Sequence, residues 1–200
     1  LTPAAKGLRR LRLVALGYIA ASGASDAARV AFGQFESADN MTDRQGALGV
    51  LANTDAPERV AALDIFYDRW RDDALVLDKW FSTQAMSTRG DTAAAVEALA
   101  RHPDFTLANP NRLRALAGAF AANQRGFHEA SGRGYRFLAD TIIAADAINP
   151  QTAARLLPPL GRWRRFDEAR ASIMRGELER ILATAELSKD VFEQASKSLV

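Results

Sequence analysis

Residues 167–185, DEARASIMRGELERILATA, carry the clearest structural signal in this chain. Met174, Leu178, Ile181, Leu182 and Ala185 fall at i, i+4, i+7, i+8 and i+11, which is one apolar face of a helix with 3.6 residues per turn. Downstream, Ser188 caps a final helix that runs to the terminus. Upstream, Asn149-Pro150 and Asn109-Pro110 each set a capping side chain before a proline at the first helical position, where the missing N–H has no partner to lose. The two devices lie 40 residues apart. Helical spans are expected from Gly134 to Ala147 and from Pro150 to Leu157.

The first half follows the same grammar. Thr2-Pro3 opens a helix to about Ala21, and Ser25 or Asp26 starts the next through Val30, Phe32 and Phe35. Thr42-Asp43-Arg44-Gln45 reads as a capping box, in which the Thr hydroxyl and the Gln amide satisfy each other's free backbone N–H groups. Asp55-Ala56-Pro57 begins a helix whose Val60, Leu63, Tyr67 and Trp70 form a stripe, and spans Asp73–Met86 and Asp91–Arg101 follow. Ten or eleven helices of ~10–20 residues with short linkers suit a bundle or a stacked solenoid, and the 40-residue spacing matches HEAT and armadillo periods. The expected fold is all-α, an armadillo/HEAT-like α-solenoid of about ten helices. No Gly/Ser-rich or low-complexity tract divides the chain, so residues 1–200 read as one domain.

Composition narrows the chemistry. Hydrophobic residues make up 48% of the 200 and charged residues 25%, enough for a substantial core. The 26 basic side chains, 22 Arg and 4 Lys, nearly balance 24 acidic ones, so the net charge of +2 implies no nucleic acid. Forty Ala add to the helical bias. Without Cys there is no disulfide, thiolate nucleophile or Cys-ligated zinc. His102 and His128 are the only imidazoles, and HExxH is absent. The longest uncharged run, Leu13–Ser25, has 13 residues, short of the ~20 that span a bilayer. Arg9-Arg10-Leu11-Arg12 before Leu13–Ala21 has the look of a signal segment. Leu8, Leu11, Ala15 and Tyr18, at offsets 3, 7 and 10, favour a core helix instead. The chain opens with Leu1 rather than Met, which points to an upstream portion.

Arginine is the side chain with most to offer. Arg112 and Arg114 sit in the first turn of the helix capped by Asn109, and Arg155 lies five residues past Pro150. Cations there oppose the helix dipole by a few tenths of a kcal/mol each. They are either solvated or paired surface residues, or forks that capture a carboxylate or peptide carbonyl. Arg162, Arg164 and Arg165 around Trp163 could serve single-stranded nucleic acid, but Asp167 and Glu168 follow at once and a solvated helix junction fits better. Asp64 and Asp68, spaced i, i+4 on one helix face, could in principle form an acid–base pair, but are read rather as partners of Arg71 or Arg69. Gly132-Arg133-Gly134 is a helix-start loop, Trp80 and Phe81 read as core, and the two His residues as structural or solvated. Nothing assembles a nucleophile, a base and an electrophile. No catalytic residue and no metal ligand is assigned.

Taken in order, a series of motifs has a family look. Asn40-Met41-Thr42-Asp43, Tyr67-Asp68-Arg69-Trp70 and Leu75-Val76-Leu77-Asp78-Lys79-Trp80-Phe81 come first. Asn109-Pro110-Asn111-Arg112-Leu113-Arg114, Gly118-Ala119-Phe120, Gly134-Tyr135 and Asn149-Pro150-Gln151 follow. The series resembles the C-terminal helical domain of bacterial aminopeptidases of the N type, in the M1 family of zinc metallopeptidases, over essentially the whole chain.

That resemblance implies an upstream thermolysin-like domain holding zinc on HExxH, together with a Gly-Ala-Met-Glu-Asn exopeptidase motif. Neither motif occurs here, so the fragment alone should hold no catalytic zinc and hydrolyse nothing. The helical domain is implied to be an armadillo-like arch that closes over the active-site cavity and helps to bind short peptides. By motif position, the arginines that this arch lends to the substrate cavity fall on Arg114 and Arg155, with Arg112 a brace for its neighbour. The implied partners are the upstream catalytic domain of the same polypeptide and short peptides, with no nucleic acid and no membrane. The absence of Cys and of a convincing signal fits a cytoplasmic enzyme. Surface that packs on the catalytic domain should stand exposed as an apolar patch. The competing reading is a free-standing α-solenoid scaffold for a protein partner, and a HEAT-like nucleic-acid binder comes third.

Overall fold

Short polar side chains open the helices of this protein, and prolines set the first turn of several. The computed structural model describes residues 2–200, and all regular structure among them is helical. These residues group into two compact units, the first ending at Arg89 and the second running from Gly90 to Val200. No helix among the described residues is long and apolar enough to cross a membrane.

The first unit holds α1 (Pro3–Ala21), α2 (Ala27–Ser37), α3 (Met41–Leu51), α4 (Pro57–Trp70) and α5 (Ala74–Ala85). Thr2 Oγ1 accepts the Ala5 N–H to start α1, and Asp73 accepts those of Leu75 and Val76 to start α5. α3 begins earlier than the Thr42 capping box implies. Asn40 is its cap, accepting the Asp43 N–H at 3.0 Å while its own amide donates to the Asp43 carboxylate at 3.0 Å. Asp43 sits where a capping box has its second partner, but it accepts from the Asn40 side chain rather than from its backbone N–H. Arg12 of α1 reaches the same carboxylate at 2.8 Å, so Asp43 is buried but paired. Asp55 does not cap α4, because Arg89 takes its carboxylate, and Ala56 stands at the cap with Pro57 behind it.

Two faces differ from the sequence expectation. On α1, Leu16 is buried and Leu13 lies against Gly46 of α3, whereas Leu8, Leu11 and Tyr18 are 66%, 65% and 75% exposed. α1 carries two apolar stripes, and the buried end of the Arg12–Asp43 pair fixes which one turns inward. On α4 the inward residues are Ala62, Leu63 and Phe66, while Val60 is exposed. Trp80 of α5 is buried as expected, its indole donating to the Leu63 carbonyl at 2.9 Å and its ring packed on Tyr67 and Phe81.

The second unit contains α6 (Thr92–Leu99), α7 (Pro110–Leu113), a π turn at Arg114–Gly118, α8 (Ala119–Ala122), α9 (Gln124–Phe127) and α10 (Arg133–Asp146). Next come α11 (Pro150–Ala154), α12 (Pro158–Gly161), a 3₁₀ turn at Trp163–Arg165, α13 (Glu168–Leu182) and α14 (Lys189–Leu199). Asn109 and Asn149 cap α7 and α11 as read from the sequence. Met174, Leu178 and Ile181 of α13 are fully buried, but the helix stops at Leu182 and leaves Ala185 exposed beyond it. Phe120, Phe127, Phe137 and Tyr135 meet edge to face at 5.2–5.8 Å, an aromatic core around α8–α10.

His128 lies at the edge of that core. Its Nδ1 is 2.9 Å from the Tyr135 hydroxyl and its ring stacks on Phe166 at 4.1 Å. Partial burial, and then the nearby Arg170 guanidinium, hold the imidazole below its ordinary 6.5, and burial pushes the Tyr135 phenol up to about 12. A lowered folded-state pKa means that the unfolded chain takes up the proton first as pH falls. Stability is therefore complete above pH 6.5 and declines below it, through the folded-state pKa. The lowered carboxyls of Glu97, Glu129, Glu193, Asp39 and Asp167 act only below about pH 4.5. Urea midpoints should therefore drop between pH 7.5 and 5.5, and His128→Gln should flatten that slope. An unchanged slope in the variant would assign the effect elsewhere.

Candidate functional site

The Asn109-Pro110-Asn111-Arg112-Leu113-Arg114 segment divides its two arginines between different tasks. Asn109 Oδ1 accepts the N–H groups of Asn111 and Arg112, starting a helix at once. The Arg112 side chain turns inward, 5% exposed, and donates to the Asp104 carbonyl. It braces the loop ahead of α7 rather than its neighbour Arg114. Arg114 points outward. It opens the π turn, whose widened backbone has the Ala119 N–H bonding the Arg114 carbonyl. Such turns recur at functional positions. Its guanidinium donates to Asn111 Oδ1 at 2.6 Å and is otherwise exposed. Gly118, one turn on, sits against the Arg114 stem and close to Leu156.

Arg155 is the C-cap of α11 and is exposed. Its side chain makes no hydrogen bond or ion pair among the described residues. With Gln151, Ala154, Asp190, Glu193 and Gln194 it lines a recess of about 430 Å³. Lys197 donates to Glu193 at 2.5 Å and holds that carboxyl below its usual range, so Glu193 is already occupied. Arg114 does not line this recess. Both arginines are exposed on the second unit.

In the other basic cluster, Trp163 and Arg164 are engaged in structure. Trp163 Nε1 donates to the Ser198 carbonyl at 3.0 Å. Arg164 stacks on that indole at 4.0 Å and donates to the carbonyls of Leu199 and Val200 at 2.8 Å. A cation there satisfies the free carbonyls at the end of α14. Asp64 and Asp68 are exposed, and among the described residues no ion pair joins them to Arg69 or Arg71. Gly132 caps α10 with φ +71°, Arg133 turns to Glu97, and Gly134 packs on the α9 backbone. The sequence held no sign of the π turn or of an open groove beside α10.

These features define an all-helical chain whose second unit presents exposed arginines. The chain belongs to the family described as "Domain of unknown function (DUF3458_C) ARM repeats", whose model matches residues 1–200. It is similar to aminopeptidase N of Caulobacter vibrioides, 46% identical over 197 residues, which are 98% of this chain and 23% of that protein. Aminopeptidase N of Haemophilus influenzae is 41% identical over 193 residues, 96% of this chain and 22% of that protein. Aminopeptidase N of Escherichia coli is 41% identical over 167 residues, 83% and 19% of the two chains. Among solved structures, Legionella pneumophila aminopeptidase A in complex with aspartic acid matches with a TM-score of 0.91 at 37% identity, over 96% of this chain and 23% of that one. The chain thus spans less than a quarter of the length of the relatives it matches.

Proposed function

We propose that residues 1–200 are the C-terminal helical domain of a zinc-dependent aminopeptidase of the N type, closing over an active-site cavity that the rest of the polypeptide supplies. One observation carries the reading: 98% of this chain aligns at 46% identity with 23% of an aminopeptidase N. Among the described residues no three His, Cys, Asp or Glu side chains gather where they could hold a metal ion. This chain therefore does not fit the zinc, whose ligands would come from the remaining polypeptide. The part left to these residues is binding. Arg114 and Arg155 have guanidinium donors free for the carbonyls or terminal carboxylate of a short peptide, adding affinity without chemistry. The outward apolar stripe of Leu8, Leu11 and Tyr18 suits a surface that the remaining polypeptide covers.

The test is made in the longer polypeptide that contains this chain. Arg114→Ala and Arg155→Ala should each raise KM for a tetrapeptide about tenfold, with cleavage of a single amino-acid amide unchanged because that substrate ends short of them. Equal kinetics on both substrates in both variants would remove the arginines from the site. A polypeptide lacking residues 1–200 that keeps full peptidase activity would sink the lid reading and bring the scaffold reading forward.

A further inference from the structure

Phe105, Leu107 and Phe137, with Ala100 and Ala144, line an open groove of about 840 Å³ formed by α6, the segment after it and α10. That volume lies in the range of small-ligand pockets. The charged side chains around it are not equally occupied. Arg133 donates from Nε and Nη2 to the two oxygens of Glu97 at 2.5 and 2.6 Å, a bidentate pair. Arg180 takes the Asp140 carboxylate at 2.7 Å. Both acids lining the groove are thereby neutralised.

Two exposed cations on the same lining are held more loosely. The Arg101 side chain is exposed and makes no hydrogen bond or ion pair among the described residues, although its charge helps to hold the Glu97 carboxyl below its usual range. Arg136 makes only a long ion pair, 3.9 Å from Nε to Glu177 Oε1, while Arg180 takes the other oxygen of that carboxylate at 2.7 Å. An aromatic and aliphatic floor beside two exposed, loosely held guanidiniums suits a ligand that is apolar at one point and anionic at another. Thr106 and Ser131 on the same lining suit the amides of a peptide better than a bare alkyl chain.

We propose that this groove binds the C-terminal end of a peptide, its bulky apolar last side chain on Phe105, Leu107 and Phe137 and its carboxylate met by Arg101 and Arg136. The site is separate from the proposed roles of Arg114 and Arg155, neither of which lines it, so it stands or falls independently of them.

Amide chemical-shift titration of the chain tests it, with N-acetyl-Leu-Phe as free acid, the same dipeptide as C-terminal amide, and decanoate. The acid should shift resonances at Ala100, Leu107, Phe137 and Ala144. The amide should bind about tenfold more weakly, the loss expected for one charge-assisted contact near the surface. Arg101→Gln with Arg136→Gln should erase the preference for the acid, and Ala144→Trp, on an exposed position, should block both dipeptides. Equal binding of acid and amide, a preference that survives the double substitution, or tighter binding of decanoate than of the dipeptide would each overturn the proposal. So would the lack of any shift at roughly 10 mM dipeptide.

Discussion

Trp80→Ala lowers the stability of the first unit by about 3–5 kcal/mol, the range for deleting a buried aromatic side chain. The indole is buried and packed against Tyr67 at 5.1 Å and edge-on to Phe81 at 5.1 Å. Its truncation leaves a cavity that two further rings must collapse into, and it also strips the Leu63 carbonyl of its 2.9 Å donor. Trp80→Phe separates the two losses. It keeps most of the packing and removes the hydrogen bond, so its cost should be about 1–2 kcal/mol. Urea unfolding followed by far-UV circular dichroism measures both. Similar costs for the two substitutions would mean that packing contributes little, and the Asp78-Lys79-Trp80-Phe81 signature would need another explanation.

Gly134→Ala should be nearly as damaging in the second unit, although it adds a single methyl group. A Cβ at Gly134 would lie 2.5 Å from the Phe127 carbonyl oxygen and 3.0 Å from the Phe127 Cα. Backbone cannot rotate away as a side chain can, so α10 has to shift off α9 and disturb the Phe120–Phe127–Tyr135 cluster. Overpacking of this kind costs about 3 kcal/mol. Gly176→Ala is the opposite-sign control. Gly176 lies inside α13, exposed, with nothing within 4 Å of its Cβ position, and Ala there should add about 0.5–1 kcal/mol of stability. Thermal melts of the two variants beside the parent chain settle the pair. A harmless Gly134→Ala would show that the α9–α10 approach is looser than 2.5 Å implies.

Local signals were legible because they act over a few residues. Asn109, Asn149, Asp73 and Ser188 cap the helices they were read to cap, since an N-cap needs only its own side chain and the next two or three N–H groups. The inward face of α13 was equally plain, because its apolar residues form one stripe and the helix has one way to bury it. α3 was misread by two residues: Asn40 and Thr42 both qualify as caps, and the choice fell to Asp43, which Arg12 reaches from another helix.

The candidate site divides in the same way. The sequence by itself determined an all-helical chain, the helix starts that place Arg112, Arg114 and Arg155, and the want of any cysteine or HExxH to do chemistry. Which arginine turns inward could not be read, because Arg112 and Arg114 differ by about 200° around a helix, and it is a contact of Arg112 with the Asp104 carbonyl on a preceding loop that sets them apart. The two stripes of α1, the π turn at Arg114 and the groove beside α10 likewise arise where segments distant in sequence come together. Capping and periodicity are short-range properties of the chain. The free or occupied state of a guanidinium depends on which acceptors the packed helices bring within 3 Å, and that is a property of tertiary structure alone.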